Sequence, residues 1–318
     1  MKFATYKDAS RDGQLLVVSR DLSCAHYATG IANKLQQVLE DWNFMSPQLQ
    51  DLYELLNSGK ARHAFPFEPA RCMAPLPRAY QWVSGAAFTS HAELMHKAAG
   101  SGLPENFRTE ALMVRGCGDG FCGPCDDIVA DGEAPDIDFQ AEIAVITGDL
   151  PRGASPEQAL DGVRLLMLAN DVSWRGPAQG RPATAFSPVA ITPDEAGDAW
   201  RQGRLHLTLQ STLNSRKVGM CEAGPDMTFH FGQLISGLCR ARGVRAGSIV
   251  GSGPVSNQDR SHGYSCIAEK RAIESLEDGK AKTRFMKPGD SIRIEVKGKN
   301  GQSVFGAIEQ KVVAASAG

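Results

Sequence analysis

The sequence predicts an α+β protein: a small N-terminal α/β unit followed by a mixed, mostly antiparallel β domain. Three observations carry this. An apolar run is followed early by a long stretch of helical periodicity. After about residue 75 the chain is dominated by short β-branched or alternating runs bounded by Gly, Asn or Asp. Helical spacing is sparse there, and no GxGxxG or P-loop sits at a strand–helix turn, which argues against a doubly wound sheet. The glycines of Gly116-Cys117-Gly118-Asp119-Gly120 lack that strand–helix context.

The elements follow in order. GQLLVVSR reads as a strand. From Ala28 to Leu56, Ile31, Leu35, Val38, Leu39, Leu49, Leu52, Leu55 and Leu56 recur at helical spacing. They predict one or two helices, with a break at Ser46-Pro47. Pro66, Pro69, Pro75 and Pro77 punctuate a connector, which places a domain boundary between residues 73 and 74. In the 74–318 unit, strands are predicted in FQAEIAVITG, RLHLTLQSTLNSRKVG, GSIVGSGPVS, SIRIEVKG and SVFGAIEQKVVA. Helices are predicted over 156–167 and 228–242. No repeat of solenoid length and no low-complexity tract is present.

Bulk properties narrow the function. The 318 residues suffice for a sizeable core. Hydrophobic residues at 42% and charged residues at 22% are ordinary for a soluble enzyme. A net charge of −2 without a basic block argues against nucleic acid as the main partner. The polar start and the lack of a long apolar window predict no signal peptide, no membrane span and a cytoplasmic location. Eight cysteines fit that compartment as free thiols. Cys117, Cys122 and Cys125 have ferredoxin-like spacing, and CGPC resembles a thioredoxin string. A fourth cluster ligand is not evident, and CGPC runs into Asp126-Asp127 rather than a helix, so a thiol-bearing loop is the simpler reading.

The chemistry concentrates between Asp138 and Asp171. In DIDFQAEIAVITG, strand alternation puts Asp138, Gln140 and Glu142 on one face. Three oxygen-bearing side chains on a core-forming strand need compensation, and a hard cation such as Mg²⁺, Mn²⁺ or Ca²⁺ supplies it. On spacing alone, a solvated sheet face is the alternative. In LMLANDVSWRG an apolar strand runs into Asp171, with Arg175 four residues on as a candidate carboxylate clamp. An Asp-initiated turn with a surface Arg fits the same residues. His91 stands before a helix-like stretch and could act as a general base, although a lone His is more often structural.

These runs resemble one family. DFQAEIAVITG, NDVSWR, ATAFSPVAITPDE, MTFHFGQLI, GSIVGSGPVSN and MKPGDSIRIEV occur in the order found in the fumarylacetoacetate hydrolase family, over about residues 75–315. The resemblance implies a twisted β-roll catalytic domain in a homodimer. It implies Mg²⁺ or a similar cation, and 1,3-dicarbonyl acid substrates such as acylpyruvates. The metal positions fall on Gln140, Glu142 and Asp171. His91, Arg175 and Arg181 take the catalytic positions. Arg175, Gln179, Arg181 and Ser187 take the substrate-binding ones. The chain departs from the family at Gln140, Arg181 and Ser84, where Glu, Lys and Asp are expected. Glu to Gln keeps an oxygen but removes a charge, and Lys to Arg swaps a point donor for a planar fork. Two function classes follow: a cation-dependent enzyme that hydrolyses a C–C bond of an oxo-acid, or a descendant that has lost hydrolysis and rearranges or binds a ligand. A redox protein built on the cysteine loop is a distant third.

Overall fold

The computed structural model describes residues 1–130, 136–175, 180, 182 and 184–315. The chain opens with strands β1 (Lys2–Tyr6), β2 (Gln14–Val18) and β3 (Cys24–Tyr27). Helices α1 (Leu35–Glu40) and α2 (Trp42–Asn57) and strand β4 (Phe65–Pro66) complete the first unit. Then come β5 (Trp82–Gly85), α3 (Thr89–Ala98), β6 (Met113–Gly116), β7 (Ile128–Ala130), β8 (Ile137–Asp138) and β9 (Ala141–Thr147). Helix α4 (Pro156–Asp161) leads to β10 (Val163–Asn170), β11 (Ser173–Trp174), β12 (Ala185–Phe186) and β13 (Ala190–Ile191). After α5 (Pro193–Ala196) follow β14 (Trp200–Arg201), β15 (Arg204–Leu205), β16 (Thr208–Leu213) and β17 (Arg216–Glu222). Helix α6 (Phe231–Cys239), β18 (Ile249–Gly251), α7 (Ile267–Asp278), β19 (Ser291–Val296) and β20 (Ile308–Ala314) close the chain.

The α+β class holds, with mainly antiparallel pairing. One sheet runs β4-β3-β2-β1-β13-β10-β9-β18-β5-β6, with β12 on β10, and a second runs β17-β16-β19-β20-β7. Among the described strands, β18–β5 and β20–β7 pair in parallel, and an isolated parallel bridge joins Cys122 to Ala185. Strands β9 and β10 are buried on both faces because alternate residues feed two cores. Ile143, Val145, Leu166 and Leu168 face a core shared with the second sheet and with α6 and α7. Ala144, Ile146, Leu165 and Met167 face a core capped by α1 and α2.

Helix α2 has no side-chain cap, so its stability comes from burying Leu49, Tyr53 and Leu56. Each such side chain contributes about 1.5–3 kcal/mol. Two expected boundaries move. The break falls at Asp41, whose ψ of 52° leaves the helical region, and Pro47 lies inside α2. A proline there gives up a single main-chain bond. The helix expected over 156–167 ends at Asp161, and residues 163–170 form β10 instead. A Cβ at Gly162 would lie 2.7 Å from Leu150, and the apolar run beyond it has two faces to bury rather than one.

Candidate active site

Glu142 and Asp171 come together at the centre of the main sheet. Glu142 pairs with Ala169 across β9 and β10, and the Asp171 amide donates to the Gln140 carbonyl at 3.0 Å. Both carboxylates are fully buried. Ser84 Oγ donates to both oxygens of Glu142, at 3.0 and 3.1 Å. The Gly253 amide donates to Glu142 Oε2 at 3.0 Å. Asp171 Oδ1 accepts from Thr184 Oγ1 at 2.8 Å and from Trp82 Nε1 at 3.4 Å. Gly251 lies beneath: an added Cβ would sit 2.4 Å from Glu142 Oε2 and 2.5 Å from the Trp82 ring. Only glycine lets the indole and the carboxylate close over that strand.

Gln140 is also buried, and its Nε2 donates to Ser173 Oγ at 2.8 Å. Its Oε1 is therefore its remaining ligand atom. Two carboxylates and an amide oxygen make an oxygen-only donor set, the kind Mg²⁺ or Mn²⁺ takes. Ser84 Oγ keeps lone pairs of its own and can turn its hydrogen away. The residues present fit a hard dication held by two side-chain charges.

Asp138 does not join them. The strand breaks between β8 and β9, so the alternation from 138 to 142 is interrupted. Asp138 instead accepts from the amides of Ile267 at 2.6 Å and Ala268 at 3.0 Å, at the N-terminus of α7. First-turn amides without an intrahelical partner, together with the helix dipole, favour a carboxylate there. Arg175 Nη2 donates to Asp138 Oδ2 at 3.1 Å. Burial pushes the Asp138 carboxyl up, against Arg175 and the two amides that pull it down. Arg175 thus stands in a half-buried ion pair, with its side chain 34% exposed and its Nε buried without a hydrogen-bond partner among the described residues.

His91 lies within the first turn of α3 rather than ahead of the helix. Its Nδ1 meets Glu269 Oε2 at 2.8 Å. Glu269 Oε1 accepts from Arg260 Nη1 and Ser256 Oγ, both at 2.9 Å. This fixes the carboxylate so that it can orient the imidazole. Glu269, on α7, was not legible as a site residue. Its signal was a helical pattern in IAEKRAIESLED, stopped by the left-handed Gly279, with a fully buried glutamate on the apolar face.

One segment joins the two clusters. The stretch from Gly251 to Ser256 supplies the amide that reaches Glu142 and the hydroxyl that reaches Glu269. Ser187 bonds to neither cluster. It is fully buried, accepting from the Leu168 amide at 3.0 Å and donating to the Val189 carbonyl at 2.9 Å, so its hydroxyl is spent on the backbone. Gln179 and Arg181 lie outside the described residues. The eight cysteines are free thiols, and Cys117 Sγ donates to Asp119 at 2.8 Å.

Two buried carboxylates and a histidine–glutamate pair, linked by one segment, make this region the candidate site. Residues 1–78 match the family described as fumarylacetoacetase N-terminal domain 2, and residues 81–313 match fumarylacetoacetate (FAA) hydrolase C-terminal. The chain belongs to the fumarylacetoacetate hydrolase family.

Among curated relatives, the 2,4-didehydro-3-deoxy-L-rhamnonate hydrolase of Sphingomonas sp. (strain SKA58) is 31% identical over 139 residues. That alignment spans 40% of this chain and 47% of the relative, about half its length. The fumarylacetoacetate hydrolase domain-containing protein 2 homolog of Dictyostelium discoideum is 24% identical over 73% of this chain and 72% of its own. Among solved structures, maleylpyruvate hydrolase from Sphingobium sp. SYK-6, in complex with manganese(II) and pyruvate, superposes with a TM-score of 0.64. It is 18% identical, over 99% of this chain and all of that one. A probable 2-hydroxyhepta-2,4-diene-1,7-dioate isomerase from Mycobacterium abscessus gives 0.67 at 18% identity, with the same coverage.

Proposed function

We propose that this protein is a divalent-cation-dependent hydrolase of the C–C bond in a 1,3-dicarbonyl acid of the acylpyruvate type. The observation that carries the reading is the Gly251–Ser256 segment, which hydrogen-bonds both Glu142 and Glu269 and so couples a carboxylate pair to a histidine base. Glu142, Asp171 and the Gln140 amide oxygen would hold Mg²⁺ or Mn²⁺. Bound there, the cation supplies Lewis-acid polarisation of the oxo-acid oxygens. The solved relative holding manganese and pyruvate supports this pairing of a metal with a keto acid.

The chain's own residues do the rest. With Nδ1 directed at Glu269, His91 is left with Nε2 to take a proton from water. That water adds to the carbonyl distal to the substrate carboxylate. The bond to the adjoining methylene breaks, its electron pair leaves on the keto-acid enolate, and His91 returns the proton to carbon. The exposed part of the Arg175 guanidinium holds the substrate carboxylate. Arg181 and Gln179 are assigned to the substrate as well, Arg181 beside the developing negative charge. In the same reading residues 1–73 are the accessory unit, residues 74–318 carry catalysis, and the protein works as a cytoplasmic homodimer.

One observation favours a second reading, a member that has lost hydrolysis. Ser84 places a hydroxyl donor on both oxygens of Glu142, at the carboxylate a dication must reach. A manganese isotherm, paired with the ultraviolet absorbance of several 2,4-diketo acids, separates the two. Micromolar binding, with absorbance loss abolished in His91→Gln, supports hydrolysis. Absent binding that appears in Gln140→Glu, with no absorbance loss in the unaltered protein, supports the second reading.

A further inference from the structure

A second metal-competent cluster is linked to the carboxylate pair through the Gly251–Ser256 segment. We propose that His91, Cys266 and Glu269 form a binding site for a borderline or soft divalent metal of the zinc class, separate from the hard-cation ligands Glu142 and Asp171. A ring nitrogen, the thiol sulfur and a carboxylate oxygen of these three all lie within 4.8 Å of one another. Among the described residues this is the one set of three or more His, Cys, Asp or Glu side chains that converges in this way.

The donor types choose the metal. A thiolate, an imidazole and a carboxylate match Zn²⁺, whereas Mg²⁺ and Mn²⁺ avoid sulfur. Three protein ligands leave the fourth tetrahedral position open. Zinc bonds of about 2.0–2.3 Å put neighbouring ligand atoms roughly 3.3–3.8 Å apart, so side-chain rotations of about 1 Å close the cage. Cys266 is the extended N-cap of α7 and Glu269 lies in its first turn, so the helix start presents both. Arg260 and Ser256 already hold the other Glu269 oxygen, as outer partners of a metal ligand do. Cys266 and Glu269 are fully buried, and the His91 side chain, 20% exposed, is the way in. On binding, the thiol proton leaves to solvent and the metal takes its place.

The consequence is a block. Metal at this cluster engages the imidazole that would accept the water proton, so a soft metal inhibits where a hard one supports turnover. That inhibition rests on the function proposed above; the binding does not.

The test is titration of the reduced full chain with Cd²⁺, read as cadmium–thiolate ultraviolet absorption. One equivalent is expected to produce the band. Cys266→Ser removes it, and His91→Gln weakens binding about tenfold or more. The triple variant Cys117→Ser/Cys122→Ser/Cys125→Ser retains it. A band that survives in Cys266→Ser, or vanishes only in the triple variant, overturns the proposal. His91 is partly exposed, so His91→Gln tests the site even if Cys266→Ser does not fold. Unchanged cadmium affinity in His91→Gln also overturns it. Loss of diketo-acid turnover in His91→Gln with no thiolate band would sink the metal site and leave the proposed hydrolase standing.

Discussion

Ser84, on β5, bridges both carboxylate oxygens of Glu142 across the intervening β18, at 3.0 and 3.1 Å. Two predictions follow from that contact. Ser84→Ala removes a donor from a buried carboxylate and should cost about 1–3 kcal/mol, read by urea unfolding. Ser84→Asp adds charge next to Glu142 and should tighten manganese binding, read by calorimetry. Unchanged stability in the first and unchanged affinity in the second would remove Ser84 from the account.

Glu269→Gln keeps the shape of the side chain that meets His91 but removes its charge. If Glu269 holds His91 in the base form with Nε2 free, kcat should fall about 10²–10⁴-fold, with a smaller change in KM. Its pH–rate profile should differ from that of the unaltered chain. A profile of unaltered shape would assign Glu269 a purely structural part.

Asp138→Asn should destabilise the fold while leaving the metal ligands in place. It weakens the cap on α7 and breaks the ion pair with Arg175, at a cost of about 1–3 kcal/mol. Because α7 carries Glu269, turnover should drop with the loss of helix order, read by amide exchange at Ile267 and Ala268. Protection as strong as in the unaltered chain would contradict the cap.

Acid sensitivity has an identifiable contributor at Asp290. Hydrogen bonds from Arg284 lower its carboxyl from 3.8 to about 2, helped by the Lys287 amide and Asn214 and opposed by burial. The folded value lies below the unfolded one, so the unfolded chain binds the proton more readily between them. The stabilisation is complete above about pH 4 and fades as pH falls toward 2. Asp290→Asn should flatten the acid branch of the stability curve in that window and leave the neutral region's slope unchanged. An identical acid branch would refute it.

The sheet was legible because its strands announce themselves locally. The runs around Ala141–Thr147 and Ser291–Val296 show β-branched residues between turn residues, and they form β9 and β19. The positions of Glu142 and Asp171 in the sheet were legible for the same reason, since one sits on such a strand and the other just past the end of one. The shared face expected for Asp138, Gln140 and Glu142 assumes an unbroken strand, whereas β8 ends at Asp138, whose carboxylate turns to the first amides of α7. Glu269 was missed because its partner lies 178 residues away, a pairing that no local period encodes. The helix over 156–167 failed through a shared pattern: a run buried on both faces satisfies helical spacing as readily as it does a central strand.

The continuity of the main sheet bears on how the protein can be divided. Strand β1 hydrogen-bonds β13, and α1 and α2 cover apolar side chains of β9 and β10. A fragment starting near residue 74 would carry an open β13 edge and an uncovered oily face, both invitations to self-association. The first seventy residues therefore pair with and cover the sheet that carries Glu142.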